Sequence, residues 1–106
     1  MFTPVFAVQK KELIKIHPEE ILYLQAEGNY IKIFLVDGPM VIARSTISDA
    51  LKKLPRSVFI KIHRSYAVSV FHIDRIEKDE LVIDKMSFTI GRQFYKTAIA
   101  QLTVIG

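Results

Sequence analysis

The ten residues 59–68 constrain the fold of this chain more than any other stretch. On an extended chain Ile60 and Ile62 would lie on one face, and the opposite face would carry Phe59, Lys61 and His63. This alternation is typical of a strand with one packed face and one face in water. The pattern breaks at His63-Arg64-Ser65, which predicts a turn or bulge, cationic at its centre, between two stiff strand pieces. Such a turn loses little entropy when it binds a partner.

Short strand-like segments fill much of the remaining chain. Turn signals separate them, including Gly28 with Asn29 and Asp37 with Gly38, and Gly91 is expected to permit a chain reversal. Many short strands at this spacing predict a mainly β domain. A short apolar run at residues 5–8 precedes a turn. The predicted strands cover residues 12–16, 21–25, 30–36, 40–43, 72–77, 81–83 and 87–90.

Two stretches have helical periodicity instead. In the first, about residues 46–54, apolar residues recur at i, i+3, i+4 and i+7, Thr46 is a candidate N-cap, and Pro55 ends the element. The second, about residues 92–102, places on one face Phe94, Tyr95, Ala98, Ile99 and Leu102. We therefore predict one short helix before Pro55 and one near the end of the chain.

The composition fits a single domain without disulfides. The chain has 106 residues, half of them apolar, and no cysteine. No apolar run approaches the roughly 20 residues that span a bilayer, and the N-terminus lacks the pattern of a signal peptide. We therefore expect a cytoplasmic protein that has no membrane partner.

The charge is basic and unevenly distributed. The formal net charge is +4. Residues 50–73 contain five Lys or Arg and no acid, whereas residues 74–84 contain five acids. A basic face of this kind is what nucleic-acid binding requires. A solvated run of charges is the alternative that charge alone leaves open.

The sequence offers no signature of an enzyme. The three histidines, His17, His63 and His72, lack the spacing of a zinc pair, and the four glycines are isolated, so there is no phosphate-binding loop. His63 and Ser65 would point the same way on a strand, but no orienting acid is evident. We expect no catalytic site, no metal, no cofactor and no small-molecule substrate.

Four turn-like segments carry side chains suited to DNA. Arginine suits the O6 and N7 atoms of guanine, and asparagine or glutamine suits adenine. Helix N-termini and lysine suit phosphate. The segments are Asn29-Tyr30, Arg44-Ser45-Thr46, His63-Arg64-Ser65 and Gly91-Arg92-Gln93.

Each of these segments also has a structural alternative. Asn29 is a common turn former, and Tyr30 also suits the core or its rim. Arg64 could pair with an acid such as Asp74, and Arg92 could lie near a helix N-terminus without a partner.

Four stretches of this chain match, in order, the motifs of one known family. ILYLQAEGNY at residues 21–30 resembles I-x-Y-I-E-A-x-x-N-Y, and FIKIHRSY at residues 59–66 resembles F-x-R-x-H-R-S-Y. Residues 46–54 resemble the helix between these motifs, and residues 90–92 resemble the segment before the last helix. The family is the LytTR DNA-binding domain. The chain departs from its pattern at Gln25, Ser69 and Gly91.

The resemblance implies an elongated, multi-sheet antiparallel β-sandwich of the LytTR type with short helices at about 46–54 and 92–102. It implies a single DNA-binding domain over residues 1–106, with a core of about 12–102 and no receiver domain. Such domains are typically the output domains of bacterial two-component response regulators, which act in a phosphorelay downstream of a receiver domain. They bind double-stranded DNA with loops in successive major grooves, usually as two copies on repeated sites.

Carried over by position, the resemblance places Asn29 and Tyr30 in the first base-contacting loop. It places His63, Arg64 and Ser65 in the second loop and Arg92 in the third. Lys61 would contact phosphate, and Gln93 adds an amide beside the third loop. Two other function classes stay open. One is a stand-alone interaction module of the same fold that modulates a DNA-binding partner, and the other is a small β-domain enzyme or ligand binder.

Overall fold

In the computed structural model, which describes residues 2–106, ten strands and two α-helices form the domain; Met1, part of the predicted domain, lies outside the described residues. The strands are β1 (Val5–Gln9), β2 (Glu12–Ile16), β3 (Ile21–Glu27), β4 (Tyr30–Leu35), β5 (Val41–Arg44), β6 (Phe59–His63), β7 (Tyr66–Ser69), β8 (Ile73–Glu77), β9 (Glu80–Ile83) and β10 (Met86–Thr89). The helices are α1 (Ile47–Lys53) and α2 (Arg92–Ala100).

The strands pair into three antiparallel sheets, which confirms the predicted mainly β, multi-sheet architecture. The central sheet has five strands in the order β5-β4-β3-β7-β6. The other two are the β1–β2 hairpin and a three-stranded sheet in the order β10-β9-β8. The domain is elongated, with principal extents of 46 × 30 × 25 Å.

Both faces of the central sheet are packed. On one face, Leu24 and Ile31 lie in a core with Ile16 of the β1–β2 hairpin and Ile47 of α1. On the other face, a second core joins the sheet to the three-stranded sheet and α2, through Ile60, Ile62, Leu81, Ile83, Ile90 and Ala98. The hairpin alone would be marginally stable, so its burial against the sheet is what holds it.

The expectation of one wet face in β6 was wrong at its first residue. Phe59 and Ile60 point to opposite faces, yet only 6% and 1% of their surfaces are exposed. Phe59 belongs to the core under the hairpin, and Ile60 belongs to the core under α2. The alternation predicted the strand correctly, but its polar positions at Lys61 and His63 are half-buried because neighbouring elements cover that end too.

Both helices lie where their periodicity predicted them. The side chain of Thr46 accepts a hydrogen bond from the backbone N–H of Asp49 at 3.0 Å, which caps the start of α1. The element ends before Pro55, as expected. Helix α2 begins at Arg92 and ends at Ala100, two residues before the predicted boundary. In the described part of the chain, no helix is long and apolar enough to cross a membrane.

A chain of aromatic contacts joins the second core to the predicted DNA-binding turn. The ring of Tyr23 stacks on Phe34 with centroids 4.4 Å apart and meets the edge of Phe88 at 4.8 Å. Phe88 lies 5.5 Å from Tyr66, which lies 5.9 Å from His63. These contacts hold His63 and Tyr66 on either side of the turn after β6, because edge-to-face and offset-stacked pairs restrict the orientations of the rings.

The buried phenol of Tyr23 makes the fold sensitive to alkali. Burial raises the pKa of Tyr23 above its ordinary value of 10.0, and the nearby Tyr66 phenol raises it further. In the unfolded chain this phenol ionises near its ordinary pKa, whereas in the fold it stays protonated to higher pH. The unfolded state then binds fewer protons, so the free energy of unfolding falls as pH rises through this range.

We expect Tyr23→Phe to show a shallower alkaline loss of stability than the parent chain. Urea unfolding measured at several values between about pH 8 and pH 11 checks this, since a tyrosine of ordinary pKa titrates near 10. Both proteins share every other titrating group, so the difference between their slopes isolates Tyr23. Identical slopes would show that the phenol does not contribute.

Candidate nucleic-acid interface

The four segments predicted to suit DNA lie together at one end of the central sheet. The N–H of Ala26 donates to the carbonyl of Ser65 at 2.8 Å, which sets the β3–β4 turn beside the β6–β7 turn. The N–H of Ser45 donates to the carbonyl of Asn29 at 3.2 Å, which adds the segment after β5. The N–H of Gly91 donates to the carbonyl of Ile62 at 2.7 Å, which adds the segment before α2.

We call this set the loop row, and it comprises residues 28–30, 44–46, 63–65 and 91–93. Every segment of the row is a strand end, a turn or a helix start. The strands beneath them are hydrogen-bonded neighbours, with a register shift in the β6–β7 pair between Lys61 and His63. Neighbouring strands lie about 4.8 Å apart, so the five strands of the central sheet span about 20 Å. A rigid scaffold therefore presents the row as one surface.

The first segment is exposed. Gly28 has a left-handed φ of +60°, which favours glycine at the turn. Asn29 follows it on the surface, and Tyr30 is 48% exposed and lies opposite Arg44 in the β4–β5 pairing. The structure thus places Tyr30 on the surface, and the alternative that it packs in the core is wrong.

The second segment has a fixed histidine ring and a free guanidinium. The N–H of Ser65 donates to Nδ1 of His63 at 3.1 Å. Nδ1 therefore carries a lone pair, and in the neutral ring the proton is on Nε2, where it can be donated outward. Ser65 is half-buried, and its carbonyl oxygen accepts from the N–H of Ala26 on β3.

Arg64 is exposed and does not form the ion pair that the sequence left open. The carboxylate of Asp74 instead accepts a hydrogen bond from the N–H of Asp84 at 2.8 Å. The salt bridges found within residues 2–106 join Lys32 to Glu27 and Lys52 to Asp49, so neither involves Arg64. Its guanidinium is available to a ligand.

The third segment shares an open cleft with the second. The cleft has a volume of about 550 Å³ and is lined by His63, Arg64, Gly91, Arg92, Gln93 and Phe94. Its lining has two guanidinium groups, an amide and an imidazole, and in the described chain no carboxylate lines it. An anionic or hydrogen-bonding ligand fits this set of groups.

Gly91 has a different role from the one predicted. Its φ is −60°, which any residue adopts, so the chain reversal does not require glycine. A Cβ there would lie 3.1 Å from Cδ2 of Phe94 and 3.5 Å from the carbonyl oxygen of Ile62. The small residue allows α2 to approach β6 closely, and this places Arg92 beside Arg64.

Lys61 lies against α2. Its Nζ is 5.9 Å from the ring centroid of Phe94, which is within the range of a cation–π contact. The sequence assigned Phe94 only to the apolar face of a helix, and no local signal pointed to this contact or to its place in the cleft.

Other site chemistry gains no support from the geometry. The Nδ1 atom of His63 is occupied by the backbone of Ser65, so the hydroxyl of Ser65 is not its partner. No group of three or more His, Cys, Asp or Glu side chains within residues 2–106 could hold a metal ion.

Ser69, one of the departures from the family pattern, is buried and its hydroxyl accepts from the N–H of Phe71 at 3.3 Å.

Comparison with known proteins points in one direction. Residues 11–102 match the sequence model of the LytTr DNA-binding domain. An uncharacterized response regulatory protein of Vibrio cholerae serotype O1 is 33% identical over 94 residues, which cover 81% of this chain and 36% of the relative. The chain thus spans about a third of the length of that relative.

A solved structure has the same fold. It is the LytTr DNA-binding domain of a protein described as a methyl-accepting/DNA response regulator from Bacillus cereus. The two structures superpose with a TM-score of 0.80 over 95% of this chain and 97% of the other, at 19% sequence identity. The solved structure thus shares the fold of this chain, and the family model covers most of its length.

Proposed function

Since the chain belongs to the family of LytTr DNA-binding domains, we propose that it binds double-stranded DNA with sequence preference through the loop row, as the output domain of a bacterial two-component response regulator. The observation that carries this proposal is the gathering of the four predicted segments at one end of the central sheet. The relative in Vibrio cholerae is a response regulatory protein about three times as long as the matched part, which supports a receiver domain in the full-length protein.

The side chains of the row divide into base readers and positioning groups. Arg64 and Arg92 are exposed and can each donate two hydrogen bonds to guanine. Asn29 and Gln93 carry amides that suit adenine, and Tyr30 offers a hydroxyl. The Nε2 proton of His63 suits a phosphate oxygen or a base acceptor, and its fixed ring limits the entropy lost on binding.

The size of the row fits DNA. At about 20 Å it is wider than a major groove of about 12 Å. One part of the row can therefore enter a groove while another part contacts the adjoining backbone or reaches toward the next groove. A single domain covers a short site, so we propose that two copies occupy repeated sites, and that no metal or cofactor is needed for binding.

Selection of bound duplexes from a random library tests the proposal. We expect one motif to emerge and to keep a large advantage over scrambled DNA when the salt concentration is raised, because base contacts do not release counterions as phosphate contacts do. Weak binding that ignores sequence and disappears with salt would contradict it. The interaction-module alternative would then be tested by a search for a protein partner.

Lys61→Ala should weaken binding to all DNA sequences by a similar factor. The loss of one phosphate contact should reduce the slope of log affinity against log salt by about one unit. Titrations of the selected and scrambled duplexes at several salt concentrations measure both quantities. Because Nζ of Lys61 also contacts Phe94, the thermal midpoint of the variant is measured as a control for the position of α2. A loss confined to the selected duplex would contradict the phosphate role.

A further inference from the structure

A second cavity lies on the opposite face of the central sheet from the three-stranded sheet. It has a volume of about 260 Å³ and lies between the β1–β2 hairpin, the central sheet and α1, partly open to solvent. Its apolar lining includes Ala7, Ile16, Leu24, Ile33, Ala43 and Ala50. An apolar cavity of about 150 Å³ suffices to bind a benzene-sized molecule, so this one is large enough for a small ligand.

The polar part of the lining is cationic. It consists of Arg44, Ser45 and Lys53, and in the part of the chain that the structure describes no carboxylate lines the cavity. Lys53 has no salt bridge within residues 2–106, whereas its neighbour Lys52 pairs with Asp49 at 3.9 Å. The lysine that lines the cavity is thus the one whose charge is uncompensated.

We propose that this cavity binds a small amphiphile with an aliphatic body and a single anionic head, as in a medium-chain carboxylate. The aliphatic chain displaces water from the apolar walls, which is the favourable term. The carboxylate meets the ammonium group of Lys53 at the mouth. A neutral ligand of the same length gains only the burial of its aliphatic chain. A cationic ligand gains the same burial but is repelled by the ammonium group of Lys53.

The same cavity reaches the loop row. Arg44 and Ser45 line it, and the N–H of Ser45 donates to the carbonyl of Asn29. A bound carboxylate places a negative charge beside a segment that, in the proposed complex, approaches DNA phosphates. The ligand therefore weakens DNA binding, and DNA weakens binding of the ligand by the same factor. This second step rests on the proposed function, whereas binding in the cavity does not.

Octanoate is the probe for the first step, followed by methyl resonances of the 106-residue chain in two-dimensional NMR. We expect saturable shifts at Ile16, Leu24 and Ile33, which are buried. Affinity should rise about fourfold for each methylene added from hexanoate to octanoate. Shifts confined to Leu13 and Val104, which are 68% and 67% exposed and do not line the cavity, would mean surface adsorption and would overturn the proposal.

Matched variants separate the contribution of the ligand's carboxylate to affinity from that of its aliphatic chain. Lys53→Gln should weaken octanoate about two- to fivefold, the range of an exposed ion pair, and should leave octan-1-ol unchanged. Lys52→Gln, on the next position of the same helix, should leave both unchanged. Equal effects of the two substitutions would overturn the anionic specificity. Ala50→Leu fills the cavity from α1 and should abolish the shifts, while circular dichroism verifies that the variant is folded.

The regulatory step is tested with the selected DNA duplex. Saturating octanoate should reduce its affinity for the parent chain and have no effect with Ala50→Leu. Unchanged affinity in the parent would overturn the coupling while the cavity assignment stands on the NMR result. If the chain binds no DNA at all, the proposed function fails and the octanoate shifts still decide the cavity.

Discussion

Arg64→Ala is expected to weaken binding to the selected DNA site by about 1–3 kcal/mol, which is a loss of about 5- to 150-fold. The guanidinium is exposed, has no carboxylate partner within residues 2–106, and lines a cleft with Arg92. It can therefore donate to a base without first breaking an ion pair. The substitution should also relax sequence preference at one position of the site, as measured by repeating the selection with the variant.

Arg75→Ala provides the matched control. Arg75 is exposed on β8, in the three-stranded sheet, and lies opposite Val82 in the pairing with β9. Its removal changes the net charge by the same amount but removes no side chain from the loop row. If the two substitutions weaken the selected duplex equally, or if Arg64→Ala weakens scrambled DNA as much as the selected site, Arg64 contributes only charge.

Ile62→Ala is expected to lower the free energy of unfolding by about 2–5 kcal/mol, the range for truncation of a buried isoleucine. Ile62 is fully buried in the core between the central sheet and α2. Domains of this kind are stable by only about 5–15 kcal/mol, so the variant should lose a large part of its stability. Urea unfolding gives the value from the shift in midpoint at constant slope.

Two further substitutions calibrate that result. Ile62→Val removes one methylene and should cost about 0.5–1.5 kcal/mol. Val8→Ala truncates a side chain that is 60% exposed on the hairpin and should stay within about 0.5 kcal/mol of the parent. A loss for Ile62→Ala no larger than that of Val8→Ala would mean that the second core is not formed as described.

Local sequence signals predicted the elements well. Alternation in β6 and the break at Arg64 correspond to a strand followed by a turn, and the spacing after Thr46 corresponds to a capped helix. These features depend on residues close together in the chain. The motif resemblance added the family, and the match over residues 11–102 confirms it.

Local sequence signals did not predict the contacts between segments that are far apart in the chain. The bonds from Ala26 to Ser65 and from Gly91 to Ile62 join segments that are far apart in sequence, and they are what assemble the loop row. Burial of Phe59 depends on a core that it shares with Ile16 and Ile47, which alternation within β6 cannot reveal. The residue roles within the row stay predictions that the binding measurements above decide.

The segments of the loop row owe their positions to backbone bonds and buried neighbours. The carbonyl groups of Ile62 and Ser65 accept from backbone N–H groups, and these bonds involve no exposed side chain. In the proposed complex, exchange of exposed residues such as Arg64 and Gln93 would therefore change the preferred DNA site without disturbing the buried cores. On the proposed function, binding specificity and foldability are thus carried by different residues and are free to evolve separately.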